Sequence, residues 1–254
     1  MKREGNKKAQ VTIFIIIAIV IVIFAVLVYL LYPTISTTLG YSAKSPSQQI
    51  QECIQPTITD SINQVSSHGG SINPEFVYNY QGEKLEYLCY TNENYKTCIM
   101  QKPMLLESTQ NEIRKNILNV SNTCFDDLEK TYQRQGYQVN LKRGTTTVEI
   151  VPNKVIVSYN NTLTITKTDT QSYKDFKVTV NNNLYQLINI AISILGFETR
   201  YGDSETTAYM NYYHNIKVEK KKQSEGTKVY IITDRDSQNK FQFATRSVAW
   251  PPGY

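Results

Sequence analysis

The residues best suited to chemistry are the four cysteines, which all fall in the first half of the chain. They are Cys53, Cys89, Cys98 and Cys124. A zinc site would need closely spaced cysteine pairs or nearby histidines, but the sequence has no C-x-x-C and only two histidines, His68 and His214. An even number of cysteines without metal-site spacing favours disulfides, which form in oxidising compartments. The sequence therefore predicts two disulfides and no metal site.

The pairing of the cysteines is not fixed by the sequence, because four cysteines allow three pairings. Cys53 and Cys124 lie on the apolar stripes of two predicted helices, and Cys89 and Cys98 flank a polar turn in a predicted hairpin. We therefore favour a Cys53–Cys124 bridge between the helices and a Cys89–Cys98 bridge across the hairpin. Reduced cysteines on core faces are the alternative.

Motifs of the common enzyme classes are missing from the sequence. There is no G-x-S-x-G elbow, no phosphate-binding loop, no G-x-G-x-x-G and no H-E-x-x-H. Residues 234–238 resemble the start of a calcium loop, but the glycine and the bidentate glutamate of such a loop are absent. A hairpin turn is the better interpretation of that segment. The sequence therefore predicts no catalytic residue, no cofactor and no enzyme activity.

Two N-x-S/T sequons, beginning at Asn119 and Asn160, are candidate glycosylation sites. Asn160 falls in a predicted turn, where a bulky glycan can be accommodated. Asn119 falls on a predicted helix, next to its inward stripe. The sequence therefore favours Asn160 over Asn119.

The chain contains 19 tyrosines, several of them clustered at residues 78–80, 87–95 and 209–213. A tyrosine combines an apolar ring with a polar hydroxyl, so such clusters can form a contact surface for a glycan or a cell-surface protein. Tyrosine is also common in β-sheets, where it packs against neighbouring strands. We favour sheet packing and keep the contact surface as the alternative.

The charge of the chain argues against nucleic acid as a partner. The chain has 27 basic and 22 acidic residues, and four of the basic residues and one acidic residue lie within residues 1–9. Beyond residue 9, 23 basic residues are balanced by 21 acidic ones. Such a balance lacks the basic surface that nucleic-acid binding requires.

Residues 11–32 form an apolar run without charges. A helix of that length would reach about 33 Å, enough to cross a bilayer core of about 30 Å. A secretory signal has a shorter apolar region, of about 7 to 15 residues, followed by a cleavage site. The run therefore predicts a transmembrane helix over residues 10–32, in preference to a cleaved signal or a buried core helix.

The orientation of this helix follows from the basic residues, which precede the run and do not directly follow it. Basic residues stay on the cytoplasmic side of a membrane. The sequence therefore predicts a single-pass signal anchor in the cell membrane, with the lipid bilayer as a partner. The N-terminus would be cytoplasmic and the C-terminal domain extracellular.

Residues 7–12, KKAQVT, resemble the prepilin-type (class III) leader of archaeal type IV pilins and related single-pass surface proteins. In that family a membrane peptidase removes the leader, and the apolar helix that follows packs in a filament core. The resemblance implies cleavage after Lys8-Ala9, with Gln10 as the new N-terminus, and self-assembly through the N-terminal helix. Phe14 departs from the pattern, because many pilins have glutamate at that position.

The remainder of the chain predicts helices and strands in an α+β fold. Apolar residues at helical spacing predict helices after Ser47, after Pro103 and from Leu184. The stripe of the second helix includes Val120 and Cys124. Alternating residues predict a hairpin within residues 76–100 and a meander from residue 137, with a turn at residues 160–161, followed by further strands. The predicted fold is therefore an N-terminal transmembrane helix and an exported domain with amphipathic helices and a mainly antiparallel sheet covered by a helix.

The predicted organisation has five parts. They are a basic leader (1–9), the transmembrane helix (10–32), a tether (33–47), a helical, disulfide-bearing subdomain (48–136) and a β-rich subdomain with one core helix (137–254). A single α+β domain after the tether is the alternative to the last two parts.

Two functions are compatible with this organisation. The first is a membrane-anchored extracellular structural or adhesive surface protein, which could be a pilin-like filament subunit. The alternative is a monomeric anchored binding module or an accessory subunit of a membrane complex.

Overall fold

A computed structural model describes residues 16–28 and 44–247 of the chain. Residue contacts divide the chain into two compact units, Met1–Ser45 and Pro46–Tyr254. The predicted join between the two subdomains, near Gly136, lies inside the second unit.

In the first unit, residues 16–28 are helical and their large apolar side chains are exposed. Across residues 16–28 and 44–247, no helix combines the length and the apolar character needed to cross a membrane. The transmembrane helix predicted over residues 10–32 is therefore wrong, and so are the single-pass topology, the signal anchor and the cell-membrane localisation that depended on it. Residues 10–15 and 29–32 of the predicted helix lie outside the described residues.

The second unit contains helices and strands in alternating groups. The helices are α1 (Pro46–Ser67), α2 (Leu105–Arg134), α3 (Leu184–Tyr201) and α4 (Thr207–Tyr212). The strands are β1 (Val77–Tyr80), β2 (Glu83–Tyr90), β3 (Ile99–Met100), β4 (Gln138–Lys142), β5 (Thr146–Val151), β6 (Lys154–Thr166), β7 (Thr170–Asn181), β8 (Ile216–Lys222), β9 (Thr227–Asp234) and β10 (Lys240–Arg246).

Helices α1 and α2 pack against each other through apolar stripes at the helical period. The apolar residues that α1 buries are Ile50, Ile54, Ile58, Ile62 and Val65. Helix α2 buries Ile113, Ile117, Cys124, Phe125 and Leu128. Val120, which was predicted on this stripe, is exposed. The inward position is taken by Ser121 and Phe125, because the buried face of a long helix shifts gradually around its axis.

The first sheet has the strand order β1-β2-β10-β9-β8, with β3 added beside β2. Strand β10 runs parallel to β2 and antiparallel to β9. The strand pairing is mainly antiparallel, as predicted, with the β2–β10 pair as the parallel exception among the described strands. The prediction of a single sheet is wrong, because the strands form two sheets, of which the first is mixed. Helix α3 covers this sheet at β9 and β10 and also contacts β5 and β6 of the second sheet.

The second sheet is built around β6, which pairs with β4 and β5 along one edge and with β7 along the other. Residues 160–161, predicted as a turn between two strands, instead form an irregularity inside β6. A β-bulge of this kind bends a strand without ending it. Gly144 lies against the bulge, where a Cβ atom would be 1.9 Å from the Asn160 carbonyl oxygen.

Candidate functional site

Helix α3 carries the candidate site. Its apolar positions recur at the helical period, so one face is buried in the core and the opposite face is left for polar residues. The buried residues include Leu184, Leu187, Ile188, Ala191, Ile194 and Leu195. Tyr185, Gln186, Asn189 and Ser193 lie outside that set and are half-buried or exposed. The buried face anchors α3 in the core, and α3 in turn holds these polar residues in place.

A cleft of about 450 Å³ lies beside the polar face of α3. Its lining residues are Pro152, Asn153, Tyr185, Gln186, Asn189, Ile190, Ser193, Tyr209 and Tyr213. They come from α3, from the turn between β5 and β6, and from α4 and the residue after it. The volume is within the range of small-molecule sites, about 300 to 1,000 Å³. We call this site the tyrosine cleft.

The lining of the tyrosine cleft is aromatic and amidic, and it contains no charged residue. The Tyr209 hydroxyl and Ser193 Oγ lie 2.8 Å apart and share a hydrogen bond. Asn189 Nδ2 donates to the Tyr185 carbonyl oxygen at 2.7 Å, which fixes the orientation of that amide. In the described part of the chain, the side-chain amides of Asn153 and Gln186 form no hydrogen bond, so both can donate to a ligand and accept from it.

The C-terminal end of α3 is tied to the first sheet by a buried ion pair. Lys228 on β9 donates to both Glu198 carboxylate oxygens, at 2.9 and 2.8 Å, and also to the Gly202 carbonyl oxygen. The Tyr230 hydroxyl donates to the same carboxylate. Burial raises the pKa of Glu198, while Lys228 and the Tyr230 hydroxyl act in the opposite direction. Since Glu198 is fully buried, this group positions α3 and cannot meet a substrate.

The N-terminal end of α3 is tied to the turn between β9 and β10. Asn183 Nδ2 donates to Asp234 Oδ2, and Asn239 Nδ2 donates to Asn183 Oδ1 at 2.9 Å. The Ser237 hydroxyl donates to Asp234 Oδ2 at 3.0 Å, and the Asp236 amide donates to Oδ1 at 2.9 Å. Asp234 therefore organises a hairpin turn in the segment that resembled a calcium loop. Helix α3 is held at both ends, which gives the tyrosine cleft a rigid wall.

A second group of reactive residue types comes together away from the tyrosine cleft. The Ser71 hydroxyl donates to Glu86 Oε2 at 2.6 Å, and Lys102 Nζ lies 2.6 Å from the same oxygen and also contacts Ser71 Oγ. A serine beside a lysine can act as a nucleophile when a substrate reaches it. Ser71 is only 4% exposed, however, so in this conformation the group joins the segment after α1 to β2 and does not form an open site.

The cysteines form two disulfides in the structure. Cys53 on α1 is bonded to Cys124 on α2, with their Cα atoms 6.0 Å apart. Cys89 on β2 is bonded to Cys98, just before β3, with their Cα atoms 5.3 Å apart. These are the pairs that the sequence favoured.

The two sequons differ in their surroundings. Asn160 is exposed at the bulge of β6. Asn119 is also exposed, but the hydroxyl of its sequon residue Ser121 is buried and lies 2.7 Å from the Tyr159 hydroxyl. Burial raises the pKa of Tyr159 to about 12. Glycosylation at either asparagine stays a prediction.

The predicted leader residues Lys8, Ala9 and Gln10 lie outside the described residues. In residues 16–28 and 44–247, no three His, Cys, Asp or Glu side chains come close enough together to hold a metal ion. His68 Nε2 lies 3.5 Å from Glu83, and His214 is exposed.

Some of the tyrosine clusters pack on a sheet, and others lie where they could contact a ligand. Tyr78, Tyr87 and Tyr90 pack together with Phe76 on the face of the first sheet away from the main core. Their packing is that of an ordinary sheet face. Tyr209 and Tyr213 line the tyrosine cleft instead.

Several cleft residues could not be identified from the sequence. From the sequence, Asn153 lies only within a predicted β meander, and Tyr185 and Gln186 lie only on a predicted helix. The detectable signal was the polar face of α3, on which Tyr185, Asn189 and Ser193 follow at steps of four. Their meeting with Asn153 depends on how α3 packs beside β5 and β6, which local sequence does not specify.

No protein-family model, curated protein or solved structure matches this chain. Its function is therefore inferred from the chemistry of its own residues.

Proposed function

We propose that this chain is an adhesive binding module that takes up a neutral glycan in the tyrosine cleft. The observation that carries the proposal is the lining itself: three tyrosines and three side-chain amides, from Asn153, Gln186 and Asn189, surround about 450 Å³ without any charge. This proposal develops the alternative function given in the sequence analysis, a monomeric binding module, but without the membrane anchor.

The chemistry of the lining suits a sugar. A pyranose ring has apolar C–H faces that pack on aromatic rings, and its hydroxyls both donate and accept hydrogen bonds. Tyrosine supplies such a ring with a polar hydroxyl, and an amide supplies one acceptor and two donors. A charged ligand would lose hydration in the cleft without gaining an opposite charge. An uncharged peptide is the competing ligand, and it is included in the test.

Binding to an array of neutral oligosaccharides and uncharged peptides, followed by calorimetry, tests the proposal. Tyr213→Ala removes one ring from the cleft. Stacking of a nucleic-acid base on an aromatic side chain contributes about 1 to 3 kcal/mol, and we expect a similar contribution from a sugar ring. Because about 1.4 kcal/mol corresponds to ten-fold in affinity, Tyr213→Ala should weaken glycan binding about ten-fold. Tyr201→Ala is the matched control, because Tyr201 is exposed on α3 and does not line the cleft.

The outcomes are distinct. Binding of a neutral glycan that Tyr213→Ala weakens and Tyr201→Ala leaves unchanged supports the proposal. Binding of an uncharged peptide that Tyr213→Ala weakens would show that the ligand of the cleft is a peptide and not a glycan. A chain that binds neither class contradicts it.

We propose, as a second function, self-assembly through the helix at residues 16–28. The supporting observation is that its apolar side chains are exposed on all sides, with Ile16 at 55% and Phe24 at 68% exposure. A contiguous apolar surface of this kind is typical of a protein contact. Copies of the chain could cover it by packing their helices together, as the resemblance to pilins implies.

Sedimentation velocity of the full chain tests self-assembly. Ile19→Asn with Phe24→Asn is expected to shift the chain from oligomers to monomers. Ile99→Asn is the control, because Ile99 is 71% exposed but lies on β3, in the second unit. A wild-type chain that sediments only as a monomer contradicts this function.

A further inference from the structure

A second cleft, of about 320 Å³, lies near the N-terminal end of α3. Its lining residues are Asn63, Ser66, Ser67, Asn182, Gln238, Asn239, Lys240 and Gln242. Five of them carry side-chain amides, two carry hydroxyls, and none is aromatic. We call it the amide cleft.

Lys240 gives the amide cleft a different charge from the tyrosine cleft. It is the one charged residue in the lining, at the start of β10, and its side chain is exposed. Within the described part of the chain, Lys240 forms no ion pair. Among the amides of the cleft, Gln238 and Asn239 already donate to Arg235 and Asn183. The side-chain NH2 groups of the other three, Asn63, Asn182 and Gln242, donate no hydrogen bond within the described residues. An ammonium group without a carboxylate partner, close to such donors, is suited to an anionic group on a ligand.

Residues that line the two clefts are connected by hydrogen bonds near the start of α3. The Asn182 amide, from the lining of the amide cleft, donates to the Asn153 carbonyl oxygen, from the lining of the tyrosine cleft, at 3.1 Å. Asn239 of the amide cleft donates to Asn183, the residue before α3, at 2.9 Å. Tyr185 then follows within the first turn of α3. The walls of the two clefts are therefore in direct contact.

We infer that the two clefts form one track for an extended oligosaccharide, with neutral sugar units in the tyrosine cleft and an acidic sugar unit at Lys240. This inference rests on the proposed glycan binding and adds the length and the charge of the ligand. A single neutral sugar occupies only the tyrosine cleft. A longer chain with a uronic acid gains hydrogen bonds from the amides and an ion pair with Lys240.

Calorimetry with two ladders of probes tests the inference: neutral gluco-oligosaccharides, and the same oligosaccharides ending in a single glucuronic acid unit, each from disaccharide to hexasaccharide. Affinity is expected to rise with length, and the acidic ladder to bind about ten-fold more tightly than the neutral one at equal length, as for a charge-assisted hydrogen bond. Lys240→Gln should remove that ten-fold preference, so that the acidic and the neutral probe of equal length bind with equal affinity. Added salt should weaken only the acidic ladder.

Lys142→Gln is the matched control, because Lys142 is an exposed lysine on β4 that lines neither cleft. Circular dichroism of each variant establishes that it is folded. Neutral binding with no gain from length, or an acidic preference that survives in Lys240→Gln, overturns the extended track and leaves the proposed function standing. A folded chain that binds no probe in either ladder overturns both.

Discussion

Lys228 Nζ donates to both carboxylate oxygens of Glu198, and these two charges lie in the core between α3 and β9. Taking two charges out of water is costly, and their mutual attraction offsets this only when the geometry is good and the other polar atoms are satisfied. Here the Tyr230 hydroxyl and the Gly202 carbonyl supply the additional hydrogen bonds. The pair fixes the end of the helix that carries the tyrosine cleft.

Replacing one member of this ion pair should lower the free energy of unfolding more than replacing both. We expect Lys228→Met alone to lower the free energy of unfolding by about 3 to 5 kcal/mol, because it leaves a buried carboxylate without its cation. Adding Glu198→Gln, which keeps an acceptor for Tyr230, should restore at least about 1 kcal/mol. Urea unfolding of the two single variants and the double variant measures the coupling. Strictly additive losses would show that the two side chains do not act as a pair.

The two disulfides should differ in their contribution to stability, because they close loops of different lengths. The Cys53–Cys124 bridge spans a sequence separation of 71 and the Cys89–Cys98 bridge one of 9. Loop-closure entropy then gives about 4 kcal/mol for the first and about 2.5 kcal/mol for the second. Urea unfolding of the paired variants C53S/C124S and C89S/C98S tests this order. A larger loss for the hairpin bridge would contradict the loop-length explanation.

Asp203 should give the protein a specific sensitivity to acid. Burial acts to raise the pKa of its carboxyl, but hydrogen bonds from Lys220 and the charge of Lys228 outweigh it, so the pKa lies below its ordinary value of 3.8. A carboxyl whose pKa is lowered on folding stabilises the folded protein above its ordinary pKa, and the effect is lost as the pH falls through the folded pKa. The contribution of Asp203 should therefore be present at neutral pH and disappear in strong acid.

Asp203→Asn tests this pH dependence. The difference in unfolding free energy between wild type and variant should be constant between about pH 7 and pH 5 and shrink towards about pH 2. Asp236→Asn is the control, because Asp236 is exposed in the β9–β10 turn and its carboxylate has no ion pair among the described residues. A difference for Asp203→Asn that does not change with pH would show that its charge is not involved.

Periodic features of the sequence predicted much of the second unit. The isoleucines of α1 recur every four residues, so their burial follows from helix geometry alone. The same holds for the apolar face of α3. The cysteine pairing could be favoured for the same reason, because Cys53 and Cys124 share the inward stripes of their helices.

Features that depend on contacts between distant segments could not be predicted. The parallel pairing of β2 with β10 joins segments more than a hundred residues apart, and strand alternation carries no information about the partner. At residues 160–161 two asparagines gave a turn signal, but β7 pairs on both sides of them and keeps β6 continuous. The tyrosine cleft has the same origin, since Asn153 and Tyr209 come from separate elements.

Two glycines offer a matched pair of substitutions near the functional elements. Gly196 lies inside α3, and a Cβ atom built there meets nothing within 4 Å. Gly196→Ala should raise the free energy of unfolding by about 0.5 to 1 kcal/mol, because alanine loses less backbone entropy in a helix.

At Gly144 the added Cβ would lie 1.9 Å from the Asn160 carbonyl oxygen, so the backbone would have to move. Gly144→Ala should therefore destabilise the chain by about 1 to 3 kcal/mol or more. Thermal and urea unfolding of both variants measure the changes, and destabilisation by Gly196→Ala would mean that α3 is packed more tightly on its outer face than described.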